Sequence, residues 1–256
     1  MNFQPSKSPL GTTKAWSSGP GYLLDIGSVR WKRLIREGGK ELGIRIEKQQ
    51  ADQFAAHAEQ MLRWNLKINL TAITNPFEMA IKHYLDSIVP IGMIPSGATL
   101  LDVGSGGGFP GIPIKIMRPD VRCTLIDPAR KKVSFLKQVV RDLNLKDIEV
   151  RQVRVEDLAR DGSGKHVFKI ITARALAPLE TFTALALPLL ASDGMIVAFQ
   201  GKMQQDKMDV SGSNASGRPE LPLAHGSPFW LEFHRYRLPY LKAERTLVVL
   251  RKRKVG

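Results

Sequence analysis

Hydrophobic positions along the chain follow two periods, which predict strands and helices in alternation. Seven short apolar runs have the length of buried strands: 97–103, 122–126, 149–155, 167–173, 195–200, 230–238 and 245–251. Between the runs, apolar residues recur at helical spacing, most clearly at 131–143. This alternation indicates an α/β fold with a mostly parallel, seven-stranded sheet covered by helices on both faces.

The residues before the first predicted strand follow another pattern. Residues 1–40 begin rich in Ser, Gly and Pro and end rich in Lys and Arg, so we expect a flexible basic tail. Residues 41–95 carry apolar positions at helical spacing and predict a helical N-terminal subdomain. Residues 96–256 form the main domain, with a polar stretch at 203–228 interpreted as a surface loop.

The net charge of the chain indicates more about its function than the overall composition does. Of the 256 residues, 43% are hydrophobic and 24% charged, which is typical of a globular domain. Lys and Arg number 38 against 24 Asp and Glu, a net charge of +14. This excess favours a polyanionic partner, above all nucleic acid, although an anionic membrane surface or a merely solvated basic surface also fits.

Several classes of protein are disfavoured. A single cysteine, Cys123, cannot form an internal disulfide, and we expect a cytoplasmic protein. The five histidines are scattered without ligand spacing, so we expect no metal. The longest apolar runs fall well short of the roughly 20 residues that a membrane span needs, so we expect none.

A glycine-rich turn follows the first predicted strand. Glycines let the backbone approach a ligand closely, and the next helix offers unpaired N–H groups. A dinucleotide site would read GxGxxG, but Phe109 stands at the third glycine position. Asp102 would repel a pyrophosphate and could accept hydrogen bonds from a methionine ammonium, which favours S-adenosylmethionine over NAD. The candidate contacts are Asp102, Gly104, Ser105, Gly106, Gly108 and Phe109.

Three later strand ends supply further candidates. Asp127 could accept hydrogen bonds from ribose hydroxyls, although Asp before Pro128 is also an ordinary helix cap. Val155 and Glu156 would approach an adenine edge, unless they belong to a solvated loop. Arg174 could pair with a phosphate, bind the cofactor or guanine O6, or simply form an ion pair with a nearby carboxylate.

Two other groups of residues are candidates for substrate contact. His83 and Asp86 would share one helix face and could position the target, or form an ordinary structural hydrogen bond. Cations at the start of a helix are unfavourable, because they oppose the helix dipole. Phosphate binding would explain why they occur there, although a solvated surface, where salt screens the cost, is the alternative. The candidates for RNA contact are Arg130, Lys131, Lys132 and Lys202.

Several fragments together resemble the 16S ribosomal RNA guanine-N7 methyltransferase G family, once called glucose-inhibited division protein B. The fragments are DVGSGGGFPGIP (102–113), LIDPARKKVSFL (125–136), RVED (154–157), ITARALAPL (171–179), WNLKINLTAI (64–73) and KHYLDSI (82–88). They cover roughly residues 45–205, whereas the N-terminal tail and the 203–228 loop look longer than the family pattern.

The resemblance implies a Rossmann-like class I methyltransferase fold that binds S-adenosylmethionine and methylates N7 of one guanosine in the decoding region. The substrate is then 16S rRNA or the small ribosomal subunit, and we expect a monomer. The cofactor contacts that the resemblance carries over are Gly104, Phe109, Val155, Glu156 and Arg174.

The residues also allow this chemistry. Guanine N7 bears no proton and needs no general base, so Arg174, His83 and Asp86 need only position the target. Methylation at pyrimidine C5 commonly needs a cysteine, and exocyclic amine methylation an (N/D)PP(Y/F) motif where this chain has Thr172–Ala175. Two alternatives remain open at this point, a ribosome assembly factor without turnover and a nucleotide-dependent oxidoreductase.

Overall fold

The computed structural model describes residues 24–162, 167–174, 179–201 and 229–252. The first part of this chain is helical. Helix α1 spans Val29–Glu41 and α2 spans Lys48–Asn65. A third helical stretch consists of α3 (Pro76–Met79), a π-helical turn (Ala80–Leu85), α4 (Asp86–Ile88) and a 3-10 turn (Val89–Met93).

The flexible tail predicted for residues 1–40 is wrong for residues 29–40, which lie in α1. The Ser28 side chain caps this helix by accepting a hydrogen bond from the Trp31 backbone N–H at 3.1 Å. Trp31, Leu34 and Ile35 have no exposed surface, because helical spacing places them on one face that packs into the core. The basic residues that suggested a tail are mostly exposed on the other face.

Seven strands form one sheet in the order β3-β2-β1-β4-β5-β7-β6. Their bounds are β1 Thr99–Val103, β2 Arg122–Ile126, β3 Ile148–Arg151, β4 Phe168–Arg174, β5 Leu190–Gln200, β6 Phe229–Arg237 and β7 Glu244–Lys252. Strands β1 to β5 pair in parallel, and β7 is antiparallel to β5 and β6. The predicted mostly parallel sheet of seven strands is confirmed.

Helices connect the strands and cover both faces of the sheet. They are α5 (Gly111–Met117), α6 (Arg130–Asp142), α7 (Val155–Asp161) and α8 (Leu179–Ala186), with a 3-10 turn at Leu187–Leu189. One apolar core joins the N-terminal helices to α5 and α6, and another packs α7 and α8 on the opposite face. Cys123 lies in a third core, 3% exposed, where burial raises the pKa of its thiol to about 12.

One strand boundary differs from the prediction in a way that matters for the site. The third strand was predicted to run through Val155, but β3 ends at Arg151, the last residue that pairs with β2. Beyond that residue an edge strand has no neighbour to bond, and the chain turns into α7. Val155 and Glu156 therefore lie at a helix start rather than after a strand.

Three predictions concern residues outside the described ranges, namely residues 1–23 of the tail, Lys202 and the 203–228 loop. Within the described ranges, no helix is long and apolar enough to cross a membrane. A search of the same ranges also finds no group of three or more His, Cys, Asp or Glu residues arranged to hold a metal ion.

Candidate functional site

The glycine loop turns over the carboxyl end of β1 and leads into α5. Gly104, Gly106 and Gly108 have φ values of +67°, +56° and +91°, a region that residues with side chains rarely adopt. Gly104 and Gly106 keep partly exposed surface, whereas Ser105 and Phe109 are buried together with Gly108. The backbone of residues 104 and 106 is thus the part of the loop most open to a ligand, and the predicted contacts of Ser105 and Phe109 stay predictions.

Asp102 lies beneath the loop and not in the cleft. Its Oδ2 accepts a hydrogen bond from the Gly111 N–H at 3.1 Å, and its Oδ1 accepts one from the Thr172 hydroxyl at 2.9 Å. The residue has no exposed surface, and burial raises the pKa of its carboxyl to about 6 despite these bonds. Both carboxylate oxygens are therefore already bonded within the protein, and the predicted contact with a methionine ammonium stays a prediction. Asp102 ties α5 and β4 to the base of the loop.

Asp127, at the end of β2, fixes the loop from the side. Its Oδ2 accepts a hydrogen bond from the Gly106 N–H at 3.1 Å, and its Oδ1 accepts one from the Ala129 N–H at 2.9 Å. The residue is 3% exposed. Asp127 thus fixes the turn before α6 but is not its N-cap, which is Ala129 without a side-chain cap, so the helix cap considered as the alternative is wrong and the ribose contact stays a prediction.

A cavity of about 160 Å³ opens beside Gly104 at the carboxyl ends of β1 and β2. It is lined by Val103, Gly104, Ile126, Pro128, Val153, Arg154, Val155, Glu156, Phe182 and Leu185. Mostly apolar walls with polar groups at one edge suit a flat heteroaromatic ring such as adenine. The sequence placed Gly104, Val155 and Glu156 here, but it missed Phe182 and Leu185, because only the tertiary fold brings α8 to this cleft.

Arg174 ends β4 and reaches into the helical subdomain. Its Nη1 donates to the Lys82 carbonyl at 2.9 Å and its Nη2 to the Ser87 hydroxyl at 2.8 Å. Nη2 also lies 3.3 Å from Asp86 Oδ2, and the guanidinium stacks 4.8 Å above the Phe199 ring. The ion pair that we considered as an alternative is present. One donor of the Arg174 guanidinium remains, because Nε is buried without a partner among the described residues.

Asp86 is held between Arg174 and Tyr236. Its Oδ1 accepts a hydrogen bond at 2.5 Å from the hydroxyl of Tyr236, a β6 residue. Burial and the negative charge of Asp86 raise the pKa of the Tyr236 hydroxyl, which keeps it protonated as a donor. Asp86 is 6% exposed and bonded to both Tyr236 and Arg174, and its predicted contact with the substrate stays a prediction.

His83 lies in the π-helical turn, a feature often found at functional sites. Its ring stacks on Phe109 with centroids 4.4 Å apart, and its Nε2 lies 2.8 Å from the Thr71 hydroxyl. Burial, followed by the charge of Arg174, lowers the pKa of the imidazole to about 3, so the ring is neutral. Its Nδ1 is buried without a partner in the described part of the chain.

The predicted RNA contacts that the structure describes cluster at the start of α6. Arg130 and Lys131 are exposed and Lys132 is half-buried. Pro128, in the turn just before them, lines the cavity. These cations therefore lie at one side of the cleft, where they could contact a bound polyanion.

Known proteins resemble this chain in sequence and in fold. Residues 50–217 match the family described as rRNA small subunit methyltransferase G. The chain is 37% identical to the ribosomal RNA small subunit methyltransferase G of Geobacter sp. (strain M21) over 86% of this chain and 96% of that protein. Its counterpart in Geotalea uraniireducens (strain Rf4) is 38% identical with the same coverage. The solved YcgJ protein from Bacillus subtilis has a similar fold, with a TM-score of 0.50 and 13% identity over 67% of this chain and 100% of that one.

Proposed function

Because this chain belongs to the rRNA small subunit methyltransferase G family and is an S-adenosylmethionine-dependent methyltransferase, we propose that it methylates N7 of a guanosine in 16S rRNA. The observation that carries this proposal is a pair of unpaired polar atoms, Arg174 Nε and His83 Nδ1, both buried and without a partner among the described residues. Buried polar atoms usually have partners, and exceptions need an explanation such as a ligand. We assign both atoms to the target nucleotide.

The cofactor fits the cleft beside Gly104. The apolar walls formed by Ile126, Val155 and Leu185 would hold the adenine, with Glu156 at the polar edge. The backbone of Gly104 and Gly106 would face the methionine end, because both residues keep partly exposed surface and Gly104 lines the cavity. When bound, S-adenosylmethionine supplies an electrophilic methyl group on a cationic sulfur.

Guanine N7 suits a site whose polar groups position and do not remove protons. The pKa of His83 is lowered to about 3, which makes its imidazole a weak base, and Asp86 is occupied by Tyr236 and Arg174, so neither is arranged as a general base. Arg174 can donate to guanine O6, the acceptor beside N7. The paired Asp86 offsets its charge, so the guanidinium does not oppose a purine that becomes cationic on methylation. Positioning of this kind can contribute roughly 7–11 kcal/mol to catalysis.

The RNA would approach over the start of α6. Arg130, Lys131 and Lys132 would contact phosphates, since they lie next to the Pro128 wall of the cavity. We propose that the protein acts as a monomer in the cytoplasm, on 16S rRNA or on the small subunit.

The test is transfer of a labelled methyl group to naked 16S rRNA and to unmethylated small subunits, with the modified base mapped by mass spectrometry. Arg174→Ala should lower kcat/KM on the order of 100-fold through misplacement of the base. Arg174→Lys should recover little of this loss, because an ammonium lacks the planar fork. Arg141→Ala, at the exposed far end of α6, is the control. A methyl group on another atom, or on neither substrate, would refute the proposal.

The phosphate contacts are tested separately. Lys131→Ala should raise KM for RNA and flatten its dependence on salt, because fewer counterions are released on binding. The exposed Lys137, two turns along the same helix, provides the matched control Lys137→Ala. An equal effect of the two substitutions would remove the start of α6 from the RNA-binding surface.

A further inference from the structure

We infer that His57, on helix α2, is a positioning residue for the cofactor loop, because it donates a hydrogen bond to the Gly107 carbonyl while Tyr84 fixes its tautomer. The inference rests on the proposed function only in taking the glycine loop as the place where S-adenosylmethionine binds. His57 does not line the cavity, so it acts through the loop backbone.

The hydrogen bonds determine the tautomer of His57. The residue has no exposed surface, and its Nε2 lies 3.0 Å from the Gly107 carbonyl oxygen. A carbonyl can only accept, so Nε2 carries the proton. Nδ1 must then accept, and the Tyr84 hydroxyl, 3.1 Å away, is its donor. The two side chains form one directed chain of hydrogen bonds that ends on the loop.

The loop lies so close to α2 that a change in the bond would be transmitted to it. A Cβ added at Gly107 would lie 3.1 Å from the Met61 sulfur, and one added at Gly108 would lie 3.2 Å from His57 Nε2. The His57 ring also packs on Phe109 with centroids 5.2 Å apart. The central peptide of the loop is therefore held against the helical subdomain.

Two hydrogen bonds flank the exposed part of the loop. Asp127 holds the Gly106 N–H from the sheet side, and His57 holds the Gly107 carbonyl from the helix side. Gly106 is one of the two loop residues with accessible surface. The backbone offered to the cofactor is thus fixed at adjacent residues by two different parts of the fold.

A histidine that only filled the core would be a poor choice at this position. Burial disfavours the charged form of His57 and lowers the pKa of its imidazole to about 4. Burying a polar ring costs free energy unless the ring is hydrogen-bonded, and an apolar side chain of similar size would avoid that cost. The polar ring is accounted for by the loop carbonyl, which in a buried setting needs a donor.

The experiment compares His57→Leu with His57→Gln, whose amide can still donate at the position of Nε2. Calorimetry with S-adenosylmethionine should show about tenfold weaker binding for the Leu variant and a change of less than about threefold for the Gln variant. KM for RNA and kcat at saturating cofactor should change less than about twofold in both. His234→Leu, the same change at a partly exposed β6 residue, is the control.

Each outcome decides the matter. If His57→Leu lowers the unfolding temperature but binds the cofactor normally, or if Gln and Leu weaken binding equally, His57 is only a core residue. If the Leu variant does not fold, 15N spectra of the wild-type imidazoles decide: protonation at Nε2 with resonances that shift on cofactor addition supports the inference, and protonation at Nδ1 or no response overturns it. Failure of the wild-type protein to bind the cofactor would overturn the proposed function as well.

Discussion

The glycine loop is held by two regions of the protein that work differently. On the sheet side, Asp102 and Asp127 accept hydrogen bonds from backbone N–H groups of the loop and of the α5 start. On the helix side, His57 bonds a carbonyl and His83 stacks on Phe109. The cavity-lining residues come entirely from the sheet domain. The comparison shows that residues that do not line the cavity still hold the backbone of the loop beside it.

The largest expected loss of stability comes from a substitution on the sheet side of the loop. Asp102→Ala would leave the buried Gly111 N–H and Thr172 hydroxyl without their acceptor, at a cost of about 1–3 kcal/mol each, or roughly 4 kcal/mol in the free energy of unfolding. Urea denaturation measures this loss.

The Asp102→Asn variant separates a structural role of this side chain from a role in cofactor binding, because its amide oxygen can still accept a hydrogen bond from the Gly111 N–H. The Asn variant should stay within about 1 kcal/mol of the wild type and keep its affinity for S-adenosylmethionine. A stable Asn variant that binds the cofactor more than tenfold more weakly would return Asp102 to the binding surface.

On the helix side the expected effect depends on pH. The pKa of His57 is lowered from 6.5 to about 4, so below pH 6.5 the unfolded chain takes up a proton that the folded protein does not. Stability is therefore fully present above pH 6.5 and falls on acidification, by about 2 kcal/mol between pH 7 and pH 5.

The reference for the pH dependence of stability is the His57→Gln variant, which lacks the contribution of the His57 imidazole. Asp102 contributes with the opposite sign, since its raised pKa of about 6 gives stability at low pH that is lost as the pH rises. His83, with a pKa lowered to about 3, adds to the acid sensitivity. Both groups remain in the variant, so the difference between the two stability profiles isolates His57. Parallel profiles would contradict its neutral, buried state.

A smaller effect is expected at the second carboxylate of the sheet side. Asp127→Ala removes the acceptor for the Gly106 and Ala129 N–H groups and should cost about 1–2 kcal/mol, because both donors lose their hydrogen bond. Thermal unfolding is the measurement, with the exposed Asp157→Ala as control. Unchanged stability would mean that water replaces the carboxylate, and the loop would not depend on it.

The smallest effect is expected for Tyr84→Phe, on the helix side. The substitution removes one buried donor and leaves His57 Nδ1 without it, which should cost about 1 kcal/mol in the free energy of unfolding. The Nε2 proton on His57 is retained, so cofactor affinity should fall less than in His57→Leu. A Phe variant as impaired in binding as His57→Leu would make Tyr84 the more important of the two residues.

Local patterns predicted the elements but not the ends of all of them. The family and the mostly parallel sheet are confirmed, because strand and helix periods are properties of short segments. Residues 29–40 were misread, because a basic, Gly-containing segment is helical here only through the burial of Trp31, Leu34 and Ile35. β3 was predicted too long, since its last pairing residue depends on the length of β2.

The amino-acid sequence alone was enough to locate the glycine loop and to identify the family. Glycine spacing, the Phe109 position and the surrounding fragments are readable because backbone conformation and family motifs are local. Only the tertiary structure decided which polar groups are already bonded and which, such as Arg174 Nε and His83 Nδ1, have no partner among the described residues. The sequence suggested that Asp102 could contact a ligand, but its side chain is buried and bonded to Gly111. No motif in the sequence pointed to His57, yet its side chain bonds Gly107, which is 50 residues away along the chain. The reason is physical: a side chain's exposure and hydrogen-bond partners are set by residues that folding brings together, as with Tyr236 and Asp86, 150 residues apart.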